Sequence, residues 1–78
     1  MTEHELDARR LLCPLPVIRT QDAVARLQPG ERLRVYCTDP GAIHDIPTWC
    51  RIHGHDVCNI EQQDREIIIT VQVAAKDA

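Results

Sequence analysis

The sequence reads as an α/β two-layer sandwich, a single sheet with two helices packed on one face. Three observations predict it. Apolar residues switch between strand and helix spacing in the order βαβαββ, within a chain of only 78 residues. The last candidate strand, Ile67 to Val73, is β-branched almost throughout. With no phenylalanine, one tryptophan and one tyrosine, the core must be assembled from Leu, Ile, Val and Ala. A chain of this length buries only about 60% of its unfolded surface, so that core has little margin.

Each element follows from a local pattern. After a frayed Met1 to Glu3, His4 to Arg9 predicts a short strand with Leu6 and Ala8 on one face. A turn at Arg9-Arg10 leads into Leu11-Leu12-Cys13-Pro14-Leu15-Pro16-Val17. Cys13 is placed as a helix N-cap and Pro14 as the first residue, because proline's fixed φ suits that position and its missing N–H was unpartnered there anyway. Leu12 and Val17 then fall where a hydrophobic staple would form. Val17, Thr20, Val24 and Leu27 share one face, with Arg19 and Arg26 outside, and Gln28-Pro29-Gly30 stops the helix.

From Glu31 to Cys37 the period becomes two. Leu33, Val35 and Cys37 form the buried side and Arg32, Arg34 and Tyr36 the other. Thr38-Asp39-Pro40-Gly41 is a turn, with Asp39 expected to cap the next helix. That helix carries Ile43, Ile46, Cys50 and His53 on one stripe, with Trp49 beside it. Pro47 requires either a start near Ile46, capped by Asp45, or a kink. Gly54 ends it. Asp56 to Glu61 and Arg65 to Val73 are two further strands joined by Gln62-Gln63-Asp64, and Ala74 to Ala78 is a frayed tail.

Composition narrows the function. A net charge of −3, with positive charge almost wholly arginine and Lys76 the only lysine, argues against a direct nucleic-acid surface. The apolar runs are too short to span a bilayer and the N-terminus has no signal pattern, so a cytoplasmic protein without a membrane partner is expected. Four cysteines in that setting read as reduced thiols rather than a disulfide scaffold.

Cys13 is the candidate functional thiol. A sulfur at a helix N-terminus has its thiolate favoured by free amides and the helix dipole. Pro14 and Pro16 lack N–H groups, so only the Leu15 amide is left to reach it, and a modest lowering of the Cys13 pKa is expected. The prolines instead stiffen an outward-pointing turn. His4, His44, His53 and His55 are available, yet no spacing sets one of them against Cys13 as a base. A thiol without a base suits attack on sulfur better than acyl transfer.

Asp7-Ala8, Leu12-Cys13-Pro14-Leu15-Pro16-Val17, Leu27-Gln28-Pro29-Gly30-Glu31, Thr38-Asp39-Pro40 and Asp45-Ile46-Pro47-Thr48-Trp49-Cys50 together closely resemble the TusA/SirA-like sulfur carrier family, over roughly residues 5 to 73. The length predicts one domain over residues 1–78, and the resemblance implies a four-stranded mixed sheet with two helices on one side. It implies that Cys13 of the Cys-Pro-x-Pro motif carries a persulfide. The sulfur would come from a cysteine desulfurase or rhodanese-like donor and pass to an acceptor protein in tRNA thiolation, molybdenum cofactor maturation or sulfur oxidation. No cofactor is implied, and a monomer is expected. Arg10 stands where many members have glycine, a cation expected to favour the Cys13 thiolate. Leu15 replaces the glutamate of the best-known tRNA-thiolation members, and with Asp45 is a candidate for partner contact.

Two other classes stay open on the residues alone. One is a non-catalytic regulatory or partner-binding module. The other is a zinc or redox module using Cys50, His53, His55 and Cys58, whose Cys-x2-His-x-His-x2-Cys spacing is not a usual finger arrangement. The plainer reading buries Cys50 in the second helix and sets Cys58 on the alternate face of a strand. A redox pair of Cys13 with Cys37 or Cys50 is a further variant.

Overall fold

A computed structural model describes residues 3–74. Its elements follow in the order β1 (Glu3–Ala8), α1 (Leu15–Ala25), β2 (Arg32–Cys37), α2 (Ala42–Ile52), β3 (Asp56–Gln63) and β4 (Glu66–Gln72). The sheet order is β1-β2-β4-β3. β1 runs parallel to β2, and β4 is antiparallel to both β2 and β3. This is the expected four-stranded mixed sheet.

One face of the sheet and both helices close a single core. Ala8, Leu33, Val35, Cys37, Ile67, Ile69 and Val71 from the strands meet Val24 of α1 and Ala42, Ile46 and Cys50 of α2. The alternating pattern of β2 put Leu33, Val35 and Cys37 on this face, as the period of two predicts. The opposite face carries Glu3, Glu5, Arg34 and Tyr36, linked by ion pairs and a Tyr36 hydroxyl that donates to Glu5.

Several boundaries differ from the sequence reading. β1 already includes Glu3, and the Ala74 amide donates to His55 Nδ1 at 3.1 Å, so neither residue is frayed; Met1, Thr2 and residues 75–78 lie outside the described residues. The N-cap of α1 is Pro14, one position later than predicted, and Cys13 stands outside the helix. Cross-loop hydrogen bonds described below hold Cys13 there. Leu12 is 72% exposed, so it forms no staple with Val17.

Helix α2 starts at Ala42 and runs through Pro47, so of the two alternatives left open at that proline the start near Ile46 is not the one adopted. Gly41 is its N-cap, and no side chain caps it, so neither Asp39 nor Asp45 does what was expected of it. His53 is exposed at the C-cap rather than on the buried stripe. Gly54, with φ +80°, then reverses the chain: its amide reaches Arg51 O and that of His55 reaches Cys50 O, the paired bonds of a Schellman motif. β3 runs on to Gln63, so the β3–β4 connection is Asp64-Arg65, with Asp64 at φ +53°. Aspartate tolerates that conformation better than most side chains.

Candidate functional site

Parallel pairing brings two loops to one end of the sheet. Ala8, the last residue of β1, lies opposite Cys37, the last residue of β2. The segments that follow them, carrying Cys13 and Asp39, therefore leave the sheet side by side. Such ends of parallel strands are where α/β folds gather functional groups.

Hydrogen bonds then tie the two segments together. The Arg10 amide donates to Thr38 Oγ1 at 2.8 Å, and the Cys13 amide to Asp39 Oδ2 at 2.9 Å. The Cys13 thiol donates to Asp45 Oδ2, in the first turn of α2, at 2.7 Å. Gly41 lies at the base of this cluster: a Cβ there would stand 3.4 Å from Asp39 Oδ2, 3.7 Å from Asp45 Oδ2 and 3.9 Å from Cys13 Cβ. Arg10 adopts φ +69°, a left-handed conformation that glycine takes freely and other residues rarely do. A glycine at this position would take that conformation without strain.

The electrostatics reverse the expectation for Cys13. Its pKa is raised, first by the hydrogen bond to Asp45, then by desolvation and by the Asp45 and Asp39 charges. The Leu15 amide expected to favour a thiolate is spent on Leu12 O at 2.8 Å, and among the described residues no backbone amide donates to the sulfur. Arg10 is not among the groups acting on the thiol; it lines a hollow with Asp7, Arg9 and Thr38. The charges that do act are negative, so the thiol keeps its proton.

Of the motif residues, Cys13, Pro14 and Leu15 are exposed, and Pro16, in the first turn of α1, is buried. The Cys13–Pro14 peptide bond is cis. Leu12 and Leu15, which flank Cys13-Pro14 in the chain, and Ile18 of α1 expose large apolar side chains. Cys37 and Cys50 are buried, and all four cysteines are free thiols.

The structure does not assemble the Cys50, His53, His55 and Cys58 set. Cys50 is in the core, while Cys58 is exposed at an irregularity of β3 between Val57 and Asn59, its sulfur 3.8 Å from Gln72 Oε1. His53 and His55 both lie against the Trp49 ring, with centroids 4.8 and 5.3 Å away. Among the described residues no three His, Cys, Asp or Glu side chains are grouped to hold a metal ion.

A four-stranded α/β sandwich that presents one motif cysteine on a stiff, exposed turn, flanked by apolar side chains, is the build of a small thiol-presenting protein. Comparison with known proteins narrows that class. The family model described as Sulfurtransferase TusA matches residues 4–73. YrkI of Bacillus subtilis, named as a candidate sulfur carrier protein, is 42% identical over 64 residues, covering 82% of this chain and 83% of its own. A candidate sulfur carrier protein of Neisseria meningitidis serogroup A is 39% identical over 72 residues, covering 92% and 97%. The crystal structure of a SirA-like protein from Desulfitobacterium hafniense superposes with a TM-score of 0.81 at 23% identity, over 91% of this chain and 97% of that one, and shares the fold. The chain belongs to the TusA/SirA-like sulfur carrier family.

Proposed function

We propose that this protein carries sulfane sulfur as a persulfide on Cys13 and relays it between a donor and an acceptor protein. The carrying observation is the placement of Cys13: exposed, at the motif position, on a turn fixed by two prolines and by the Asp39 contact. In the loading step Cys13 Sγ attacks the terminal sulfur of a donor Cys–S–SH. The new S–S bond forms on Cys13 as the donor's S–S bond breaks, and the proton leaving Cys13 balances the one taken by the donor thiol. Cys13–SH and donor–S–SH thus become Cys13–S–SH and donor–SH, with no net oxidation. No oxyanion hole is needed, which fits a site made of a thiol and two carboxylates.

The donor in this reading is a cysteine desulfurase or a rhodanese-like protein. The acceptor belongs to tRNA thiolation, molybdenum cofactor maturation or sulfur oxidation. Leu15, with Leu12 and Ile18, offers an apolar contact beside the sulfur, and Asp45 is a polar contact at the same rim.

Intact mass after incubating reduced protein with a desulfurase and cysteine, or with a rhodanese and thiosulfate, tests the reading. Wild type gains one sulfur atom, removable by reductant, and Cys13→Ser gains none while Cys58→Ser still gains it. Equal gain by Cys13→Ser would move the carrier role elsewhere. Loss of the gain with retained partner binding would be expected of a carrier; a module whose function persists in Cys13→Ser would be a regulatory one instead.

A further inference from the structure

An activated cysteine is usually surrounded by cations, free amides or a basic imidazole. Around Cys13 the described structure has the opposite. From α2 Asp45 faces the sulfur as acceptor of its proton, and from the β2–α2 segment Asp39 faces the same residue and holds its amide. On the sulfur's own segment Arg10 is anchored through its amide to Thr38 and lines a hollow with Asp7, Arg9 and Thr38.

The backbone that carries Asp45 is itself anchored. Its amide donates to Gly41 O at 3.0 Å in the first turn of the helix, and the missing side chain at Gly41 lets both carboxylates and Cys13 Cβ converge. Helix α2 is in turn anchored by buried Ala42, Ile46 and Cys50. The acceptor therefore belongs to a packed element rather than to a mobile surface side chain.

We propose that Asp45 is the residue that keeps the Cys13 sulfur in its thiol form in the free protein, a positioning residue that slows the reaction of an exposed sulfur with small electrophiles. Its use depends on the carrier reading, since a sulfur presented on an open turn must survive encounters with oxidants and alkylating agents between partners. Its chemistry does not depend on that reading. The thiolate is the reactive form, and a carboxylate that accepts the S–H bond disfavours that form.

The test is the pH profile of Cys13 alkylation by iodoacetamide, in a Cys58→Ser background so that the other two thiols are buried. The background protein shows a midpoint above that of an ordinary thiol, about 8.5. Asp45→Asn shifts the midpoint down, and Asp45→Glu, which restores a carboxylate, keeps it raised. A lower pKa raises the thiolate fraction at pH 7.5, and the lower basicity gives back only part of that gain. The Asn variant therefore alkylates severalfold faster at pH 7.5. Coincident profiles for the background and Asp45→Asn overturn the proposal. So does a background midpoint at or below the ordinary value, which decides the matter even if the variant does not fold. Alkylation needs no sulfur donor, so failed loading with a shifted profile sinks the carrier reading alone, and intact loading with coincident profiles sinks the Asp45 assignment alone.

Discussion

Burial divides the four cysteines into two chemical kinds. Cys37 and Cys50 are fully enclosed, and desolvation pushes each pKa up to about 11, so neither is ionised near neutrality. Cys13 and Cys58 are exposed. Native protein treated with a chromogenic disulfide reagent should therefore release two equivalents quickly and the other two only on unfolding. Cys13→Ser and Cys58→Ser should each remove one fast equivalent, and a variant retaining two would mean that a core cysteine is reached in the native state. The enclosed pair was readable from the sequence, since Cys37 continues the alternation of Leu33 and Val35 and Cys50 continues the spacing of Ile46. The raised pKa of Cys13 was not. It comes from Asp39 and Asp45, 26 and 32 positions away, and no helical or strand period encodes such a separation. The two aspartates stood out in the sequence, but local logic made them helix caps, and only the parallel pairing of β1 and β2 turns them towards the sulfur.

Between elements, Glu31 is a clamp at the end of the sheet opposite the sulfur. One carboxylate oxygen accepts from the Gln28 amide at 2.7 Å and the other lies 2.9 Å from His4 Nε2, while its backbone carbonyl accepts from the Val73 amide at 2.9 Å. It thus joins the α1–β2 turn, β1 and the chain leaving β4. The Gln28 amide first, and then His4, hold its carboxyl below the usual glutamate range. A lowered folded-state pKa contributes stability that is complete above the unfolded value, about 4.3, and is lost as pH falls through the folded one. Glu31→Gln should therefore unfold at lower temperature than wild type at pH 7, with the gap closing as the pH drops below about 4. Thermal melts across that range check it, and a gap independent of pH would mean the carboxylate charge contributes nothing. The elements themselves were readable in type and order, because β2 and β4 are strongly patterned. Their ends were less so: the start of α2 was obscured by Pro47, whose missing N–H costs one backbone bond that the packed stripe of Ala42, Ile46 and Cys50 offsets.

At the scale of the whole molecule, the sulfur site and the core share their supports but not their exposure. Cys13 is reached from solvent in the folded protein, whereas Cys50 can be reached only when α2 leaves the sheet. Ile69, fully buried, sits on β4 between Val35 of β2 and Ile60 of β3, so shortening it weakens the sheet that both helices rest on. Ile69→Val removes one methylene and should cost about 0.5–1.5 kcal/mol. When opening and closing are fast relative to labelling, the labelling rate of a buried thiol follows the open population, and each 1.4 kcal/mol is tenfold. Cys50 should then label roughly two- to twelvefold faster in Ile69→Val, with the Cys13 rate unchanged. Mass spectrometry of each cysteine-bearing peptide over time separates the two. An unchanged Cys50 rate would mean that α2 detaches locally, without the sheet opening. A parallel rise at Cys13 would mean that the Asp39 and Asp45 contacts open with the core, and that the state of the sulfur is governed by global stability rather than by the two loops that hold it.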